Sequence, residues 1–282
     1  MSMEVGHQDE FIPIQRCYPD EYEEYQVSGH YWNDGFLPVQ MFRIRFRKRT
    51  GMVLYPHACT LLYFELRTDG AVRIRLVGRV TETMCTRQEP GTTYLMLRFP
   101  PQYTFEAFKG MTNTEHYLEP SVFGDLALIR QAMDTKDADE AFSLLMQAVL
   151  DSSLDFRENK LVDEFVFGSL YNEDNLSIEE IIGNMSYSPR YIRSVIKAQT
   201  GINAKRLYDI LRLQNIMESQ IFEDEDSLNC VYDFGFYDQA HLNKNIRKLT
   251  GLSYTSFKEI LKEKNQVEER QEAKTSIRSD PA

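Results

Sequence analysis

Only four cysteines occur in 282 residues, Cys17, Cys59, Cys85 and Cys230, and no two form a C-x-x-C pair. That spacing offers neither a zinc site nor a disulfide framework, so reduced buried thiols are the simpler reading. There is no H-x-H pair either. His30, His57 and His116 stand alone, and the clustered histidines and carboxylate of a metal enzyme are missing, so no metal or cofactor is expected. The chain lacks any run of about 18 apolar residues, which argues against a membrane span. The start, "MSMEVGHQDEF", has no basic segment followed by an apolar core, so a cytoplasmic protein is expected. Excess positive charge is also missing. A net charge of −11 argues against a protein that coats nucleic acid without selectivity. Local charge decides specific contacts, however, and most of the negative excess lies in residues 1–169, whereas 170–264 is close to balanced.

What is present divides into a β-rich part and a helical part. In "QMFRIRF", Phe42, Ile44 and Phe46 alternate with Arg43 and Arg45, the period of a strand with one buried face. "TLLYFELRTDGAVRIRLVG" predicts a hairpin, because Asp69-Gly70 suits a tight turn with positive φ. "GTTYLMLRF" adds a further strand. Several short strands over about residues 10–110 suggest a small barrel or sandwich. After Pro120 the spacing turns helical, with Leu126, Ile129 and Met133 on one face and Leu144, Leu145 and Val149 on another. "ENKLVDEFVFGSLY" offers a third helix. These segments can cover the sheet, pair with a second copy or connect domains.

From Leu176 two helices follow in quick succession. Ser177 with Glu180 forms a capping box, and Ile178, Ile181, Ile182 and Met185 make a buried stripe. Ser188 caps the next helix with Pro189 at its first position, Ile192, Val195 and Ile196 bury it, and Gly201 ends it. This is a helix-turn-helix layout, whose second helix can enter a DNA major groove. Its polar face carries Arg190, Arg193, Ser194 and Lys197. Arginine can donate two hydrogen bonds to guanine, while Lys197 suits a phosphate.

A long amphipathic helix, "NAKRLYDILRLQNIMESQIF", comes next, with Leu207, Ile210, Leu211, Met217 and Ile221 on one side. The layout then recurs. Ser227 is the cap; Leu228, Val231 and Tyr232 form the first face. Gly235 makes the turn, Asp238 caps the second helix, Leu242, Ile246 and Leu249 bury it, and Gly251 ends it. Ser188 to Gly201 and Asp238 to Gly251 have the same spacing, and a repeated module says more than one amphipathic helix. The second polar face bears Gln239, Asn243, Lys244, Arg247 and Lys248. Amides pair with adenine, and cations pair with guanine or phosphate. A rigid linker would hold the two reading helices about one DNA turn apart, roughly 34 Å.

With "GFYDQAHLNKNIRKLTGLS", "SPRYIRSVIKAQTG" and "RLQNIMES" in this order and spacing, Ser177 to Leu261 resembles the double helix-turn-helix domain of AraC-type transcription regulators. By position, the resemblance implies base-reading sites at Arg190, Arg193 and Ser194, and at Gln239, Ala240, Asn243 and Lys244. Ala240 departs from the pattern and can touch only a thymine methyl. Ile182, Val231, Leu242, Ile246, Tyr254 and Ser186 also depart from it. The region around "YPHACTLLYFEL", "LVGRVTET" and "YLMLRFPP" resembles a degenerate cupin-like sensor domain. Weak ligand candidates there are Arg43, Arg45, Arg73 and Arg75 as basic strand edges, and Trp32, Tyr63 and Phe64 as an apolar lining. A solvated sheet face and core packing are the simpler readings of these two sets.

The expected architecture is α+β. It comprises a β-rich, cupin-like barrel over 1–120, a helical dimerisation or linker segment over 121–170, an all-α domain of two helix-turn-helix units over 171–264, and a polar tail over 265–282. The expected function is that of a DNA-binding transcription regulator, not an enzyme. Expected partners are double-stranded promoter DNA, a second copy of the chain, a small-molecule effector and RNA polymerase. Control by a protein partner, an adaptor that has lost DNA binding, and a cupin-like enzyme with an interaction module stay open as alternatives. The last is disfavoured by the absent metal cluster.

Overall fold

The computed structural model describes residues 22–31, 36–172, 175–222 and 234–261. Trp32, Cys17, Cys230, Ser227 and the face of Leu228, Val231 and Tyr232 lie outside these residues, as does the expected polar tail. Among the described residues nine strands come first: β1 (Tyr22–His30), β2 (Val39–Phe46), β3 (Thr50–Leu54), β4 (Thr60–Leu66), β5 (Val72–Val77), β6 (Met84–Gln88), β7 (Thr93–Phe99), β8 (Tyr103–Phe105) and β9 (Glu115–Leu118); a tenth, β10 (Phe156–Glu158), follows two helices. The main sheet has the order β1-β2-β7-β4-β5-β9, and β3–β6 and β8–β10 form two small antiparallel sheets. The architecture is α+β, as expected. The hydrogen-bonded ladders do not close into a ring among the described residues.

The Asp69-Gly70 hairpin forms as its sequence predicts. Gly70 has φ +78°, and β4 and β5 pair from Leu61↔Val77 to Leu66↔Val72. Both faces of the main sheet are buried. Met41, Leu62, Phe64, Leu76 and Leu97 face the helices α1 (Ala127–Asp134) and α2 (Ala138–Asp151). Phe42, Ile44, Phe46, Tyr63 and Met96 face the opposite way, onto Met52 and Leu54 of β3. Tyr63 and Phe64 are therefore core residues on opposite faces. Asp137 starts α2 by accepting from the Asp139 and Glu140 amides at 2.9 and 3.0 Å.

Two of the four strand arginines are buried, where a solvated face was expected. Arg43 donates to the carbonyls of Ala132, Met133 and Thr135, at 2.7, 3.0 and 2.7 Å, which the end of α1 leaves without intrahelical partners. Arg75 bonds Glu65 at 2.9 Å and Glu115 at 3.2 Å and lies over the Tyr63 ring. Arg73 sits 3.3 Å from Glu65, and the half-exposed Arg45 is 3.0 Å from Glu23. Each of the four has an intramolecular partner. Deeper still, Arg98 donates to Gln40, and Arg79 donates to the carbonyls of Pro101 and Tyr103. Burial lowers both guanidinium groups to about 10.

The third helix, α3 (Lys160–Leu170), leaves the sheet and buries Val162, Phe165, Val166 and Leu170 in a helical core. It packs on α4 (Ile178–Asn184), α5 (Pro189–Thr200) and α6 (Ala204–Phe222). Then come α7 (Gln239–Thr250) and a helical run over 254–261, α8. The helical core also takes in Leu37, Tyr55 and Ala58 from the sheet part.

Asp163 of α3 is buried and accepts the Phe36 amide at 3.2 Å. Burial raises its carboxyl to about 6, and Glu158 pushes the same way. A carboxyl with a folded pKa above its unfolded value near 3.8 binds more protons folded than unfolded between these values. Stability from this group therefore falls as pH rises from about 4 to about 6. Asp163→Asn removes that slope and stabilises the protein at pH 7 by roughly 1–2 kcal/mol, measured by urea unfolding across pH.

Candidate nucleic-acid interface

The first unit is built as its residues dictate. The Ser177–Glu180 capping box is complete: Glu180 accepts from the Ser177 amide at 2.7 Å, and Ser177 Oγ accepts from the Glu180 amide at 3.3 Å. Ile178, Ile181, Ile182 and Met185 are buried, as are Ile192 and Ile196 of α5.

Helices α5 and α7 share their caps and their terminal Thr–Gly bonds, fifty residues apart. Ser188 and Asp238 cap α5 and α7 by accepting from the Tyr191 and His241 amides, at 3.4 and 2.7 Å. Thr200 Oγ1 donates to the Ile196 carbonyl at 2.7 Å and accepts from the Ile202 amide at 3.0 Å. Thr250 Oγ1 donates to Ile246 at 2.8 Å and accepts from Leu252 at 3.1 Å. Gly201 and Gly251 then turn left-handed, with φ +72° and +78°. Asn203 accepts from the Arg206 amide and Ser253 from the Ser256 amide, capping the helix that follows each unit. Hydroxyl, glycine and cap together stop α5 and α7 and redirect the chain.

Arg190, Arg193, Ser194 and Lys197 are all exposed on α5, and Gln239, Ala240, Lys244, Arg247 and Lys248 are exposed on α7. Arg193 lies 3.8 Å from Glu179, an exposed pair of small energetic weight. Lys197 turns its ammonium to the Gly201 carbonyl at its own helix end. Asn243 is only half-exposed. Its amide donates to the Gln239 carbonyl at 3.2 Å and accepts from the Tyr254 amide at 3.1 Å, so it also ties α7 to α8. Reading adenine with both amide atoms would require breaking these bonds.

Among residues passed over in the sequence, Arg212 stands out. It is buried, donates to the Phe234 carbonyl at 2.9 Å and lies 3.8 Å from the Phe236 ring centre. It thereby holds the "FGF" turn of the second unit against α6. The signal was present in "RLQNIMES", but only the fold brings Arg212 to Phe234. Contacts with the sheet part were also unforeseen. Gln214 donates to the Pro56 carbonyl at 2.6 Å, Arg206 to Thr81 at 2.8 Å, and Tyr55 meets Phe257 edge-on at 5.3 Å. The C-terminal ends of both α5 and α7 touch the sheet part: Thr83 donates to the Thr250 carbonyl, and Gly201 lies against Gly110.

No family model matches this chain, and no curated protein matches it. Among solved structures it is similar to ToxT from Vibrio cholerae O395 bound to (E)-4-(8-methylnaphthalen-1-yl)but-3-enoic acid. That likeness has 8% identity and TM-score 0.44, covering 85% of this chain and 100% of that one. It is also similar to unsaturated fatty acid-bound ToxT from strain SCE256, at 8% identity and TM-score 0.41, covering 86% and 96%. Likenesses this distant assign neither a function nor a ligand to the chain.

Among the described residues, no group of three or more His, Cys, Asp or Glu side chains could hold a metal ion, and no helix is long and apolar enough to cross a membrane. His57 is buried, with Nδ1 accepting from the Cys59 amide at 2.9 Å, and burial, then Arg98, lowers its pKa to about 3. His30 bonds Ser28 and Asp139. Cys59 is buried, its thiol pushed by burial up to about 12, whereas Cys85 is exposed, unlike the buried thiol expected there.

The two terminal glycines allow a matched test. Gly251→Ala meets no neighbour and carries only the left-handed backbone penalty, about 1–2 kcal/mol. Gly201→Ala adds a Cβ 2.0 Å from the Gly110 carbonyl oxygen, so its loss of stability, read from urea midpoints, is expected to be clearly larger.

Proposed function

We propose that this chain is a DNA-binding transcription regulator of AraC type, whose helices α5 and α7 each read a major-groove segment. The observation that carries this reading is the fifty-residue repetition of caps, Thr–Gly stops and exposed basic faces. Arg190 and Arg193 suit guanine edges, Gln239 suits adenine, and Lys244, Arg247 and Lys248 suit guanine or phosphates. In this reading the sheet part is the regulatory part and acts on DNA affinity through its contacts with the reading helices. An effector or a second copy bound there must favour one domain arrangement over another to change that affinity.

The test is titration of a duplex selected from random sequence by the wild-type protein, beside a random duplex, over a range of salt. Arg193→Ala should weaken the selected duplex by about 1–3 kcal/mol and relax preference at one base pair. Equal weakening on both duplexes would make Arg193 a phosphate contact. Lys248→Ala should weaken both and flatten the salt slope by about one counterion; an unchanged slope would remove it from the interface. Equal affinity of the wild-type protein for any duplex would overturn the reading as a whole.

A further inference from the structure

From α3 onward the exposed large hydrophobic side chains among the described residues are three tyrosines, and all three stand at the starts of α5 and α7. Tyr187 is 54% exposed, Tyr191 52% and Tyr237 87%. Tyr187 immediately precedes the cap Ser188, and Tyr237 immediately precedes the cap Asp238, so they occupy the same place in the two units. Close by, Met185, two residues before Tyr187, and Phe236, next to Tyr237, are buried in the helical core. Tyr191, one turn into α5, packs its ring on Tyr187 with centroids 5.4 Å apart. It lies three residues before Ser194, on the exposed side of the helix.

Leaving a large ring in water at the same place in both units has no benefit for folding, since burial of apolar area is what stabilises the fold. A phenol combines a flat apolar body with a hydroxyl donor, which suits a surface that is itself part apolar and part polar. The adjoining faces are cationic, with Arg190, Arg193 and Lys197 beside one tyrosine pair and Lys244, Arg247 and Lys248 on the helix after the other. The complementary partner is polyanionic with apolar faces between its charges, as a sugar–phosphate backbone is. Tyrosine is among the side chains that donate to phosphate oxygens and so set register without reading bases.

We propose that Tyr187 and Tyr237 are matched backbone anchors: each phenol donates to a DNA phosphate at the mouth of the groove that its helix reads, with Tyr191 bracing the Tyr187 ring. This rests on the DNA-binding reading above and adds how the two helices are set to equal depth. A neutral donor displaces no counterion, which separates its effect from that of a lysine.

The test uses the full chain with Tyr187→Phe, Tyr237→Phe and the double variant, which keep the ring and remove only the hydroxyl. The probes are the selected and the random duplex. Each single variant should lose about three- to tenfold in affinity on both duplexes alike, with the salt slope and base preferences unchanged. The double variant should lose approximately the product. Wild-type affinity in the phenylalanine variants, while the parent still prefers its selected duplex, would overturn the anchors and leave the DNA-binding reading standing. So would a loss confined to one base pair, or a change in self-association with DNA affinity intact, which would assign the rings to a protein partner. If the parent itself shows no duplex preference, the underlying reading fails instead.

Discussion

The helical part depends on one helix that is covered on every side. From Leu207 to Gln214, α6 exposes no residue. A helix apolar on one stripe can sit at a surface, but one covered all round must satisfy every polar group it carries. Asp209 is met by the charge of Lys205 at 3.0 Å, without a hydrogen bond at its Oδ1, while Arg212 donates to the Phe234 carbonyl and Gln214 to the Pro56 carbonyl. An unmet buried group costs about 1–3 kcal/mol, so the Arg212 and Gln214 bonds do more than add stability. Burial of Leu207, Ile210, Leu211 and Met217 is non-directional. The polar bonds are directional, and they determine where the second unit's turn and the sheet part can sit.

Around that helix, α5 and α7 are alike in how they start and stop and unlike in attachment. Their caps and Thr–Gly stops repeat, yet the first unit ends on a backbone-to-backbone approach between Gly201 and Gly110, whereas the second ends on one hydroxyl bond from Thr83. A close-packed backbone contact yields only if the chain moves. A single hydrogen bond, worth about 1 kcal/mol net, yields readily. Asn243, bound within its own unit, further separates the two exposed polar faces: α5 presents arginines, whereas α7 presents Gln239 and a cationic rim.

Local patterns account for much of what was legible beforehand. The Asp69-Gly70 turn, the Ser177–Glu180 box, the Ser188 and Asp238 caps and the two terminal glycines each depend on residues a few positions apart, so spacing alone is enough to predict them. The alternation through Phe42, Ile44 and Phe46 likewise revealed a strand. It could not reveal that the other face is buried as well, because that depends on α1 and α2 arriving more than eighty residues later.

The amino-acid order by itself determined where α4, α5 and α7 start, where α5 and α7 stop, and that cap and Thr–Gly stop recur in α5 and α7, since caps, stops and stripes are short-range consequences of backbone geometry. Only the tertiary structure decided what the long-range polar groups do. Arg43 closes the end of α1, Arg75 joins Glu65 and Glu115, Arg212 grips Phe234, and Gly201 meets Gly110. The physical reason is that a buried cation or a bare backbone is useful only where a distant acceptor or surface happens to be delivered, and nothing in its own neighbourhood of sequence names that partner.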